Sequence, residues 1–186
     1  MSLLSFFSIP SAAHQWLSLV GIIWLLVING TNTIFLAYSC QLKQLLSITQ
    51  VQRNNLAFAS DAGQLFGWVS GLVSIYIPLW LVLLIGSTFG LIGYDVQYLI
   101  TNHISSLSYW HVFLLTFLAD NSISWINTVC YVVTTRNFSS QGQVTVGLTT
   151  SYQWLSAKIY TNIVDVFSPH KKATTFIFLN SLLPFI

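Results

Sequence analysis

The run Leu17-Ser18-Leu19-Val20-Gly21-Ile22-Ile23-Trp24-Leu25-Leu26-Val27-Ile28 decides the class of this chain. It carries no charge and a single polar side chain, Ser18, and it sits inside a longer apolar stretch, 16–38. A helix that crosses a bilayer needs about 20 mostly apolar residues. Further stretches of this kind lie at 56–76, 79–99, 109–134 and 144–166. A last one, 173–186, is too short to cross and reads as a truncated sixth helix. The runs are too long for barrel strands and lack strict alternation. The expected fold is therefore all-α, a polytopic transmembrane helix bundle preceded by a short segment, 1–14. That segment has no Lys or Arg before its apolar run, and Pro10 interrupts it. A cleaved signal peptide is not expected.

Composition points the same way. The chain has 186 residues, of which 54% are hydrophobic and 5% charged; its mean hydropathy is +0.72. Soluble domains carry roughly 25% charged residues, so a chain this apolar could not cover its surface in water. Lipid removes the problem, and the bilayer is the first expected partner. Six Lys+Arg against four Asp+Glu make no basic stripe, which excludes a nucleic-acid partner. Cys40 and Cys130 form neither a framework nor a C-x-x-C pair. No G-x-S-x-G, P-loop, H-x-x-x-H or acidic cluster is present, so no catalytic residue, metal ligand or cofactor is assigned.

Polar residues inside apolar spans are expensive, and each needs an account. On the first span Asn29, Asn32 and Thr33 share one helical face. On the fourth, Asp120, Ser124, Asn127 and Tyr131 follow at i, i+4, i+7 and i+11. On the fifth, Thr149, Gln153, Ser156 and Tyr160 repeat that spacing, and Trp154, Lys158 and Thr161 form a second face. Each residue alone is accounted for by an interhelical hydrogen bond worth roughly 0.6 kcal/mol. Three stripes together favour a shared cavity for a small solute, with Asn29, Asn32, Asp120, Ser124, Asn127, Gln153 and Lys158 as its candidate lining. Asp120 and Lys158 have opposite sign and similar depth, so they are expected to pair across the fourth and fifth helices.

Glycines recur at four-residue spacing: Gly63, Gly67 and Gly71 on the second span, Gly86 and Gly90 on the third. In lipid, close backbone approach supplies packing energy that apolar side chains cannot. These five are expected at helix–helix contacts, with a dimerisation motif as the alternative.

Ordered motifs then identify a family resemblance. Thr49-Gln50-Val51-Gln52, Leu56-Ala57, Ala59-Ser60-Asp61-Ala62-Gly63, Phe66-Gly67-Trp68 and Ser70-Gly71-Leu72 resemble the nodulin-like domain of plants. So do Gly30-Thr31-Asn32, Gly93-Tyr94, Trp125-Ile126-Asn127-Thr128-Val129-Cys130-Tyr131-Val132, Asn137-Phe138 and Leu179-Asn180-Ser181-Leu182-Leu183-Pro184. That domain is the N-terminal half of a branch of the major facilitator superfamily. The resemblance implies a secondary transporter of two six-helix halves around a central site. This chain would supply the first half, with a cytoplasmic N-terminus and its first, fourth and fifth spans against the cavity. A lone half lacks the second wall, so a C-terminal half-domain or a second copy is the implied partner; a partner-dependent or non-transporting role is the alternative. Asp95, Asp120 and Trp154 stand where the family has small residues, usually Gly, and Lys158 stands where Ala is usual. A bulky or charged side chain at such a contact is expected to open the packing or to require a new partner.

Overall fold

The computed structural model describes residues 12–30, 39, 43–44, 47–103, 108–167, 175 and 177. Helices α1 (Ala12–Asn29), α2 (Gln50–Leu65), α3 (Trp68–Tyr76), α4 (Leu79–His103), α5 (Tyr109–Asn137) and α6 (Gly142–Phe167) follow in order. There is no strand among the described residues. Of the expected sixth span, 173–186, only residues 175 and 177 are described, and of the segment 1–14 only 12–14.

Helices α2 and α3 form one bent rod. The Phe66 N–H still bonds the Ala62 carbonyl at 3.1 Å, but the Gly67 N–H turns to the Gln64 carbonyl at 2.9 Å. This tighter step bends the rod. The described helices thus make five rods. The rod also starts earlier than the expected 56. Thr49 caps it: its hydroxyl accepts the Gln52 N–H at 3.2 Å, and the Gln52 side chain accepts the Thr49 N–H at 2.9 Å. Two otherwise unmet donors are satisfied together, which is why the polar run from Gln50 is helical. At the other end Ile77 is extended ahead of Pro78, as the residue before a proline prefers.

Among the described residues three segments are long and apolar enough to cross a membrane: Ala12–Gly30, Leu79–Gln97 and Tyr109–Asn137. Their outward faces carry large apolar side chains, among them Trp16, Leu17, Val20 and Trp24 on α1 and Trp80 and Leu84 on α4. Contiguous apolar surface of this kind is unfavourable in water and natural against lipid.

Helix α5 is the centre. Ala119, Asp120, Asn121, Ser122 and Ile123 are consecutive and all buried, so protein surrounds the middle of α5 on every side. It packs most extensively on α4 and α2, and also on α1, α6 and α3; α1 in turn lies along α6. Ile22 and Leu26 of α1 meet Ile126 and Cys130 of α5. Val82 of α4 meets Trp125 and Val129, with Phe89 edge-on to the Trp125 ring at 5.6 Å.

Small residues set these distances. A Cβ on Gly63 would collide with the Phe117 carbonyl of α5 and lie 3.0 Å from the Asn121 nitrogen. A Cβ on Gly86 would sit 2.7 Å from the Trp125 Cβ. Gly67 and Gly93 face Ser124 and Ala119 as closely, and Gly90 is buried. Gly71 differs from its expected packing role: nothing among the described residues lies within 4 Å of a Cβ there. The glycine spacing places it on the rod, but the bend at Gly67 intervenes between it and Gly63.

Candidate functional site

The polar residues of α5 divide between two neighbours. On one side α5 meets α1. The Asn29 amide donates to the Asn127 side-chain oxygen at 2.9 Å and to the Ile123 carbonyl at 3.3 Å. Asn29 is 1% exposed, so these bonds are made away from water, where an unmet amide would be costly. Helix α6 closes the same region. The Ser156 hydroxyl donates to the Val27 carbonyl at 2.6 Å, and a Cβ on Gly30 would collide with the Gln153 carbonyl. Gln153 and Thr149 are both buried there. Asn29, Asn127 and Gln153 therefore belong to the junction of α1, α5 and α6. Among the described residues no hydrogen bond reaches the Gln153 amide.

On the other side α5 meets the α2–α3 rod. The Ser124 hydroxyl donates to the Gln64 carbonyl at 3.1 Å, the same carbonyl that the bend turns toward Gly67. The Ser70 and Thr128 hydroxyls share a bond of 2.6 Å. Asp120 is buried at 3% exposure. The Ser60 hydroxyl of α2 donates to its carboxyl group, and its Cβ faces Gly63.

This division corrects two expectations. Asp120 and Ser124 face α2 and α3, not a cavity shared with the fifth span. The expected ion pair is not formed: Lys158 is exposed on α6, while Asp120 is buried against Ser60. Residues at i, i+4 and i+7 share a broad stripe. On a helix enclosed on all sides, the edges of one stripe meet different partners. Trp154, expected to open the packing, points outward at 62% exposure. Asn32 lies outside the described residues.

Periodicity marks Ser156 but gives no sign of several other residues that hold the bundle together: Ser60, Ser70 with Thr128, and Gln97, whose amide donates to Thr116 at 3.1 Å. Their signal is faint, being small hydroxyls recurring on apolar helices, one of the usual ways membrane helices are joined. A further tie joins the start of α1 to the end of α5. There the Gln15 amide donates to the Asn137 carbonyl at 3.1 Å, and the Asn137 amide donates to Ser18 at 2.6 Å. Among the described residues no group of His, Cys, Asp and Glu could hold a metal ion.

Comparison with known proteins adds the family context. The family model described as Nodulin-like matches residues 15–186. Protein NUCLEAR FUSION DEFECTIVE 4 of Arabidopsis thaliana is 40% identical over 173 residues. The match covers 93% of this chain and 30% of that relative, so the chain spans under a third of the relative's length. No solved structure matches.

Proposed function

The chain belongs to the nodulin-like family, and from that premise we propose that it is a multi-pass membrane component of a facilitator-type secondary transporter. In this reading the five rods cross the bilayer and form the wall of a solute path. The path runs along the junction of α1, α5 and α6, and access alternates as this bundle rocks against a second one.

The observation that carries the reading is the uncharged polar junction of Asn29, Asn127 and Gln153 inside an apolar bundle. The Asn29 amide spends its hydrogen bonds on the Asn127 side chain and on backbone, while Gln153 is buried on the adjoining α6. Such groups cost free energy unless they are satisfied, so a junction able to offer hydrogen bonds to a passing solute accounts for their retention in lipid-embedded helices. The solute's identity is not implied by these residues.

A second reading has its own support. Asp61 and Gln64 of α2 are exposed on a rod flanked by membrane-crossing helices. Lipid cannot satisfy them, which favours a protein neighbour over that face. A membrane protein that acts only with a partner bundle, or does not transport, fits this feature.

The test is uptake of a labelled panel of small solutes (sugars, amino acids, carboxylates and inorganic ions) in a heterologous cell. The cell expresses the chain alone or together with the remaining portion of a nodulin-like relative. Flux that needs both pieces and falls with Asn127→Ala supports the transporter reading. A correctly inserted pair with no flux for any solute sinks it and leaves the second reading.

A further inference from the structure

Asp120 carries a charge-bearing group into the contact between α2 and α5. Its side chain is 3% exposed, in the interface where Gly63 lets α2 approach the α5 backbone. The Ser60 hydroxyl is its hydrogen-bond donor, and Ser60 is itself only 6% exposed. Among the described residues no basic side chain shares this space. On α2 the charged neighbour is the acidic Asp61, while Arg53 lies two turns nearer the helix start and has its own partner. On α4 Asp95 is exposed and His103 is the last residue of the helix; on α5 His111 and Arg136 are exposed; on α1 and α6 His14, Lys158 and Asp165 are exposed. The α3 segment contributes no charge.

A carboxylate buried without a cation is among the costliest groups a protein can hold. A bilayer around the bundle raises that cost. Two oxygen-bearing side chains are too few to encage a metal cation, which takes about six or more oxygen ligands. A proton needs only one.

We propose that Asp120, with Ser60 as its hydrogen-bond partner, is a proton-binding site. The carboxyl group is held as the neutral acid inside the α2–α5 contact and exchanges its proton with water when that contact opens. The proposal does not depend on the transporter reading, since it concerns occupancy of one group and not flux.

The chain suits a direct test, because its four acidic side chains are all Asp (Asp61, Asp95, Asp120 and Asp165) and it contains no Glu. Infrared spectra of the full chain in sodium-free detergent buffer at neutral pH should contain a carboxylic-acid C=O band. Asp120→Asn should remove that band, and Asp61→Asn and Asp95→Asn should leave it. A neutral-pH spectrum without the band, or a band that survives Asp120→Asn, overturns the proposal. Should Asp120→Asn not fold, the wild-type chain is treated with a hydrophobic carbodiimide, which modifies neutral carboxyl groups in apolar sites, and its peptides are mapped. Label at Asp120 that declines as pH rises supports the site. Label on exposed Asp61 and Asp95 with none on Asp120 overturns it.

Discussion

Replacing Gly63 by Ala is the sharpest perturbation of this fold. The new methyl group would run into the Phe117 carbonyl and lie 3.0 Å from the Asn121 nitrogen and 3.3 Å from the Asp120 Cβ. Two of these neighbours are backbone atoms of α5, which cannot swing aside as a flexible side chain can. The helices must separate, and the Ser60–Asp120 bond next to Gly63 must lengthen with them. Overpacking of this kind typically costs about 1–3 kcal/mol. Alanine also favours helix over glycine by up to about 1 kcal/mol, which would mask part of the strain. Gly71→Ala supplies the control. It lies on the same bent rod, gains the same propensity, and meets nothing within 4 Å. The difference between the two variants therefore isolates the close approach, at about 1–3 kcal/mol, or roughly 5- to 150-fold in the unfolding equilibrium. Denaturing-detergent titration in mixed micelles, followed by tryptophan fluorescence, reads it. If Gly63→Ala were as stable as Gly71→Ala, the α2–α5 contact would not have the closeness described.

Other outcomes follow from particular contacts. A double-mutant cycle on Asn29 and Asn127 should give a coupling of about 0.6 kcal/mol, and no more than about 1.7, in the same titration; additivity would mean that their 2.9 Å bond contributes nothing. Thr49→Ala should cost about 0.5–2 kcal/mol by removing the cap of α2, and hydrogen exchange should accelerate at Gln50–Arg53 while α5 stays protected. Leu26→Ala, at a fully buried position, should cost about 2–5 kcal/mol, whereas Leu17→Ala, 68% exposed on the outward face of the same helix, should cost far less; equal losses would argue that α1 is oriented differently.

How much of this was legible beforehand differs by feature. The spans announce themselves, because a bilayer imposes a length and an apolar composition that few other environments require. Helix α5 runs to Asn137 and α6 from Gly142 to Phe167, close to the limits of the fourth and fifth apolar stretches. The start of α2 was missed because Gln50–Asn55 is polar throughout. Thr49 and Gln52 carried the signal, a Thr followed three residues later by Gln. The bend at Gly67 has no comparable local mark, since it depends on Ser124 reaching the Gln64 carbonyl from another helix.

For the site, periodicity placed Asp120, Ser124 and Asn127 on one stripe but could not name the neighbours of that stripe. Tertiary packing gives Asp120 and Ser124 to the α2–α3 rod and Asn127 to α1. Charge complementarity suggested pairing Asp120 with Lys158, and it misled because a long lysine on an outward face can reach its own polar surroundings. The departures from the family pattern at Trp154 and Lys158 fall on exposed positions of α6, so both are accommodated without disturbing the described core.

Single-cysteine topology mapping tests the proposed alternation across the bilayer directly for three of the five rods: α2–α3, α4 and α5. In a variant lacking Cys40 and Cys130, cysteines replace Ser47, Tyr76, Ser108 and Ser140 one at a time, all of them exposed. An impermeant thiol reagent is then applied to one side of sealed vesicles. Positions 47 and 108 should react from one side, and positions 76 and 140 only from the other. Reaction of all four from the same side would contradict the account, because the helices between them would then not span the membrane.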